Sequence, residues 1–159
     1  MNIALRPAGP GDAELMHRVS LQAWTGRVAA NSSLYRETIE YVAGLLSAGG
    51  GFLLWVGDEL AGSVRYFRVA RQPLSWEIKR LGVIAAHRGQ GLGALLMDAV
   101  HEQARSEAVQ VLQLGIRADQ PRLVSFYEQL GYALDDAVTL SAQNPLTIAA
   151  ITMSRRLVK

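Results

Sequence analysis

Residues 85–100 read AAHRGQGLGALLMDAV and place three glycines, Gly89, Gly91 and Gly93, at alternate positions just before an apolar-periodic run. Glycine ahead of a helix lets the backbone approach a ligand. The first turn of that helix then offers unpaired N–H groups and the positive end of a dipole. A phosphate or pyrophosphate is the natural guest; a tight strand-to-helix turn with glycine for geometry alone is the other reading. Both common nucleotide patterns fail. A triphosphate loop needs Gly-Lys-Ser/Thr, but position 94 is Ala with no lysine nearby, and the glycine spacing is not G-x-G-x-x-G. The chain has no cysteine, which excludes disulfides, thiolate-bound zinc and a thiol nucleophile. Its three histidines, His17, His87 and His101, form no ligand spacing, so no metal site is expected.

These residues need a scaffold, and 159 residues, half of them apolar, suit one domain spanning 1–159. Net charge is +2, and fourteen of the sixteen basic residues are scattered arginines. No basic stripe marks a nucleic-acid surface. No apolar run is long enough for a membrane span and no signal pattern opens the chain, so a cytoplasmic protein is expected. Residues 2–7 read as a strand. Asp12 caps a helix over about 13–25, and a second helical stretch runs from Ser32 or Ser33 to the stop at Gly49–Gly51. Strands over 52–56 and 60–69 form a hairpin, RQPLS is a loop, and 76–84 is a third strand. Leu92, Leu95, Leu96, Ala99 and Val100 mark the helix after the glycine loop. A buried strand spans 109–116, and a helix capped by Asp119 or Gln120 ends at Gly131. Residues 132–141 and 147–157 read as a final hairpin about AQNP. The sum is an α+β fold, a mixed, mostly antiparallel sheet of about seven strands flanked by about four helices.

Arg88-Gly89-Gln90-Gly91-Leu92-Gly93-Ala94, after a strand ending RLGV, resembles the R/Q-x-x-G-x-G/A motif of the GNAT N-acetyltransferase superfamily. QPRLVSFYEQLGY, residues 120–132, is similar to a second family phrase, N-x-x-A-x-x-hydrophobic-Tyr-Glu-x-x-Gly-Phe. The element order also fits the family from end to end. The resemblance implies that acetyl-CoA is the guest, its pyrophosphate cradled by the amides of Arg88 through Ala94, with no metal. It implies that main-chain groups of Leu81 and Val83 bond the pantetheine arm, with Gly82 between them as the place for a backbone irregularity. Tyr127 matches the tyrosine that protonates the departing thiolate, and otherwise is a packing aromatic. Gln120 stands where the family has Asn, and Leu123 where it has Ala.

Glu77 is the candidate base for the attacking amine, and otherwise an ion-pair partner of Lys79 or an arginine. A strand period of two, without a bulge, puts Glu77, Lys79, Leu81 and Val83 on one face. The resemblance also implies that the acceptor enters beside Trp24, Tyr35, Arg36 and the 140–147 turn. The expected activity is direct acetyl transfer from acetyl-CoA to a primary amine of a small molecule or peptide. A CoA-binding sensor with the same fold is the alternative. A homodimer is left open, and neither nucleic acid nor membrane is an expected partner.

Overall fold

The computed structural model describes residues 2–141 and 144–157. The chain begins with strand β1, Ile3–Ala8, and helix α1, Ala13–Trp24, whose Met16, Val19 and Ala23 are buried. A 3-10 turn over Ser33–Arg36 precedes α2, Ile39–Ala48. Three strands follow: β2, Gly49–Val56; β3, Glu59–Val69; and β4, Gln72–Val83. Helix α3, Leu92–Ser106, leads to β5, Val111–Ile116, and α4, Leu123–Gln129. Strands β6, Ala133–Leu134, and β7, Ile151–Arg156, complete a seven-stranded sheet of order β1-β2-β3-β4-β5-β7-β6. Every neighbouring pair is antiparallel except β4 and β5, which α3 connects as a crossover. The core forms where α1, α2 and α3 lay their apolar sides on the sheet, with Met16, Leu53, Leu54, Leu96 and Met97 fully buried.

Two features of β4 shape everything near the glycine loop. Its parallel pairing with β5 lasts only from Ser75–Val111 to Ile78–Leu114. Beyond Ile78 the strands part. The second feature is a bulge. Ser63 pairs with Gly82 while Arg65 pairs with Lys79, so three steps on β4 match two on β3. Arg80 takes up the extra residue with φ +57, a left-handed conformation that is costly for a side chain of its size. The irregularity therefore falls at Arg80 and not at Gly82. The extra residue also overturns the expected shared face. Glu77 and Lys79 lie on the side of α1 and α2, as does Gly82, where an added Cβ would meet Ala23 and Trp24. Leu81 lies on the opposite side and reaches Gly93 of α3.

Other differences have local causes. Gly49–Gly51 end α2 at Ala48 as expected and at once open β2, where Cβ atoms at 49 and 51 would strike the Tyr66 and Val64 carbonyls of β3. RQPLS is absorbed into β4 almost entirely, since the turn needs only Ala70 and Arg71, the latter at φ +64. The helical stretch from Ser32 is broken at Glu37 and Thr38, both extended. Thr38 Oγ1 caps α2 by accepting from Tyr41 N at 3.0 Å. Helix α4 starts at Leu123 because its expected caps are used elsewhere: Asp119 binds Arg117 and Gln120 reaches Arg27. The final hairpin shrinks to the two residues of β6 against β7. Residues 144–150 and 135–141 form a strap without strand pairing, and Ala142 and Gln143 of the AQNP turn lie outside the described residues.

Candidate functional site

A cleft of about 1180 Å³ opens where β4 and β5 part. Its walls include Trp24, Glu77, Lys79, Leu81 and Tyr127, and Leu140 of the strap also lines it. The strap is tied across the opening. Asn144 Nδ2 donates to the Asn31 carbonyl, and Asn31 Nδ2 donates to the Leu146 carbonyl, both at 2.9 Å. The cleft is thus roofed between the turn after α1 and the strand pair β5–β7.

The glycine loop sits at the top of the parted strands. Gly89 and Gly91 have φ +78 and +77, and Gly91 is the N-cap of α3. Nothing lies within 4 Å of an added Cβ at either, so their glycine character serves backbone conformation and an open approach. Gly93 differs: its Cβ would touch the Phe126 ring at 3.4 Å, which makes it a packing position between α3 and α4. The Arg88 side chain turns inward. Its Nε donates to the Val83 carbonyl at 2.9 Å, and its Nη2 donates to the Ala23 carbonyl at the end of α1. Arg88 therefore ties the loop to β4 and α1. Burial, and then the charges of Arg88 and Arg122, lower the pKa of Arg27, so three guanidiniums share one neighbourhood beside the loop. Together with the α3 N-terminus they favour an anion there. Gln90, Leu92 and Ala94 complete the loop and the first turn of α3, with the Leu92 side chain buried.

On the parted edge of β4, Trp24 Nε1 donates to the Leu81 carbonyl at 3.1 Å. The Leu81 and Val83 carbonyls are thus both occupied by side chains, Trp24 and Arg88. Ile84 donates to Ala61 of β3, so Val83, one residue earlier, presents its main chain to the parted side.

Tyr127 lies on the cleft wall, edge-on to Phe126 and Tyr132. Burial pushes its phenol pKa up, so it holds its proton throughout the neutral range. Its hydroxyl makes no hydrogen bond among the described residues, and it is available to a guest. Gln120 is buried. Its Nε2 donates to the Arg27 carbonyl at 2.7 Å, and its Oε1 is buried without a partner. Gln120 lines the cleft, and its unpartnered acceptor matches an amide N–H in chemistry.

Glu77 is 4% exposed and pairs across the seam with Gln113 of β5. Its Oε1 accepts from Gln113 Nε2 at 3.1 Å and from Ser141 N at 3.0 Å. Among the described residues its Oε2 accepts only from Ser141 Oγ, at 3.1 Å, and keeps room for another donor. The expected ion pair with Lys79 does not form. Lys79 Nζ instead donates to Tyr41 Oη at 3.1 Å and lies 5.4 Å from that ring's centre.

The structure brings Trp24, Glu77, Leu81, Gln120 and Tyr127 to one cleft but leaves Tyr35 outside its lining. The break before α2 turns Tyr35 to solvent and supplies Tyr41 in its place. Sequence reasoning also missed Glu37. Its carboxylate binds Arg65 Nη2 at 3.0 Å and Arg80 Nε at 3.1 Å, with Arg65 wholly buried. Burial opposes the charge on Glu37, but the two guanidiniums outweigh it and hold the carboxyl below its ordinary pKa. Glu37, itself anchored by Arg65, holds Arg80 and with it the bulge. The only sequence signal was an acidic residue within a helical stretch, which is too common to single out.

The sequence model of the acetyltransferase (GNAT) family matches residues 16–132. Solved structures share the fold over nearly the whole chain. The PaiA N-acetyltransferase of Thermoplasma acidophilum, in complex with coenzyme A, is 15% identical, with a TM-score of 0.78 and coverage of 98% of this chain and 99% of that one. The ribosomal-protein-S18-alanine N-acetyltransferase of Escherichia coli is 16% identical, with a TM-score of 0.77 and coverages of 99% and 96%. A GNAT-family acetyltransferase of Streptococcus pneumoniae is 21% identical, with a TM-score of 0.73 and coverages of 99% and 100%.

Proposed function

Because the chain belongs to the acetyltransferase (GNAT) family, we propose that it carries the acetyl group of acetyl-CoA directly to a primary amine of a small molecule or peptide. The observation that carries this reading is the gap between β4 and β5. It has a protonated, unengaged phenol at Tyr127 on its wall and an orphaned acceptor at Gln120 Oε1. When bound, acetyl-CoA supplies an acyl thioester whose carbonyl carbon takes a new C–N bond as its C–S bond breaks. The amides of Arg88 through Ala94 receive the pyrophosphate at the α3 N-terminus, with Arg27 nearby. The main chain of Leu81 and Val83, on either side of Gly82, lines the arm's path. Each carbonyl already accepts one side-chain bond, so the N–H groups are assigned the contact. Gln120 Oε1 accepts from an amide of the arm. Tyr127 gives its proton to the departing sulfur. Glu77 Oε2 accepts the proton that the attacking amine must lose, directly or through water. With no cysteine, no thioacyl-enzyme on a thiol can form.

Among the described residues no helix is long and apolar enough to cross a membrane, and no group of acidic or histidine side chains could hold a metal. A cytoplasmic location and one catalytic unit over 1–159 belong to this proposal. The test is release of free thiol from acetyl-CoA with a broad amine panel, beside a thermal-shift titration with CoA. CoA stabilisation without thiol release for any amine would replace the enzyme by a CoA-binding sensor, and no stabilisation would remove both.

A further inference from the structure

Among the described residues, four cations and three carboxylates line the cleft: Arg36, Lys79, Arg80 and Arg117 against Glu37, Glu77 and Asp119. Most of these charges cancel. Glu37 is held by Arg65 and Arg80, and Asp119 by two bonds from Arg117, at 3.1 and 3.2 Å. One carboxylate, Glu77, is left without a cation, and two cations, Lys79 and Arg36, are left without a carboxylate. Arg36 donates only to the Asn31 carbonyl, at 3.4 Å.

The bulge makes this remainder directional. Glu77 and Lys79 share one face of β4 because both precede Arg80. Two residues apart on a strand, their Cα atoms are separated by roughly 7 Å. They do not pair with each other, because Gln113 and Ser141 hold Glu77 while Tyr41 holds Lys79. One of the three Lys79 donors is used on Tyr41, and the others remain for a guest. Lys79 is the only lysine among the described residues, and it stands on the cleft wall.

From this we infer that the acceptor is a small amino acid-type molecule, whose amine is received at Glu77 and whose carboxylate is bound by Lys79 with Arg36. The inference deepens the acetyltransferase reading and rests on it. A diamine or polyamine needs a second unpaired carboxylate, and both others on the lining are already neutralised. A protein chain needs an open groove, whereas the strap is tied over the cleft through Asn31, Asn144 and Leu146. An anion on the acceptor answers the leftover positive charge, and opposite charges fix its orientation as well as its affinity.

The experiment measures thiol release from acetyl-CoA with matched acceptors: free L-amino acids, their C-terminal amides, the decarboxylated amines, 1,4-diaminobutane and short peptides. The carboxylated member of the preferred set is expected to have at least about tenfold higher kcat/KM than its amide. In Lys79→Met that ratio should fall below about threefold, chiefly through KM for the acceptor, while CoA affinity by calorimetry stays unchanged and reports an intact fold. Lys79→Glu should favour the amide or the diamine. Preference of the native protein for amides, diamines or peptides would overturn the inference and leave acetyl transfer standing. So would an unchanged ratio in Lys79→Met and Arg36→Met. Absence of thiol release with every amine tried would remove the acetyltransferase reading together with the inference.

Discussion

Glu37→Gln tests whether a buried ion cluster maintains the shape of the cleft. The Glu37 side chain is 4% exposed, and Arg65, its partner, is 0% exposed. Arg65 has its Nε and Nη1 buried without partners among the described residues, and its Nη2 divides between Ser20 and Glu37. Gln keeps the shape and one acceptor but removes the charge that compensates two guanidiniums. Breaking a buried pair in this way costs about 3–5 kcal/mol. The retained amide oxygen argues for the lower end. At about 3 kcal/mol, a chain of this length should lose roughly 6–12 °C in Tm. Acid sensitivity supplies an independent check. The folded pKa of Glu37 lies below its usual value of 4.5, so its contribution to stability is complete above that value and lost as pH falls through the folded pKa. Urea midpoints measured from pH 7 down to pH 3 should therefore drop less steeply in the variant. Arg80, freed from Glu37, should also relax the bulge and weaken CoA binding. A Tm within about 2 °C of the native protein, or an unaltered acid slope, would refute the claim that the cluster bears on stability.

Gly91→Val forces a branched side chain into φ +77 at the α3 N-cap and should weaken CoA binding by at least about tenfold, measured by calorimetry. Gly93→Ala, which meets Phe126 at ordinary contact distance, should leave that affinity nearly unchanged. Tyr127→Phe should lower kcat toward the small end of the roughly 10²–10⁴ range for acid catalysis, with CoA affinity retained; a native turnover rate would make Tyr127 a packing residue. Glu77→Gln should reduce kcat/KM most near neutral pH and less at high pH, where free amine is plentiful; equal loss at every pH would point to displacement of the Ser141 strap instead. His101 is held neutral: burial, and then the charge of Arg155, bring its pKa from 6.5 down to about 4. Its stabilisation is complete above 6.5 and falls away as pH drops toward about 4, so chemical denaturation of His101→Gln should lose that slope.

The glycine loop, Tyr127 and the strand carrying Glu77 were legible because each is encoded by a short run of neighbours. The sheet's composition and the α3 face follow from apolar periodicity in the same way. The bulge was not legible, because Arg80 is held in its left-handed conformation by Glu37, 43 residues away. That one residue reversed the face assignment of Leu81 and Val83. The exchange of Tyr35 for Tyr41 has the same origin, since Glu37 must leave the helix to reach Arg65 and Arg80. The strap after β6 has strand-like composition but is fixed by Glu77 and Asn31, 64 and 113 residues distant from their partners Ser141 and Asn144. Apolar alternation carries no record of such long-range polar ties.

The parting of β4 from β5 leaves an open strand edge in the middle of a sheet, which in most proteins invites a foreign strand to add itself. Here the edge is blunted from the side. Trp24 covers the Leu81 carbonyl and Arg88 covers the Val83 carbonyl. An intruding polypeptide must both donate and accept along its length, and at these two positions each carbonyl already has one lone pair engaged. A guest arriving with carbonyl groups meets no such objection. The same two side chains thereby make the edge a poorer template for self-addition, and the acetyl-CoA reading proposed above places the amide-bearing arm on the same edge. Loss of either should surface first as turbidity on concentration, before any loss of helix content.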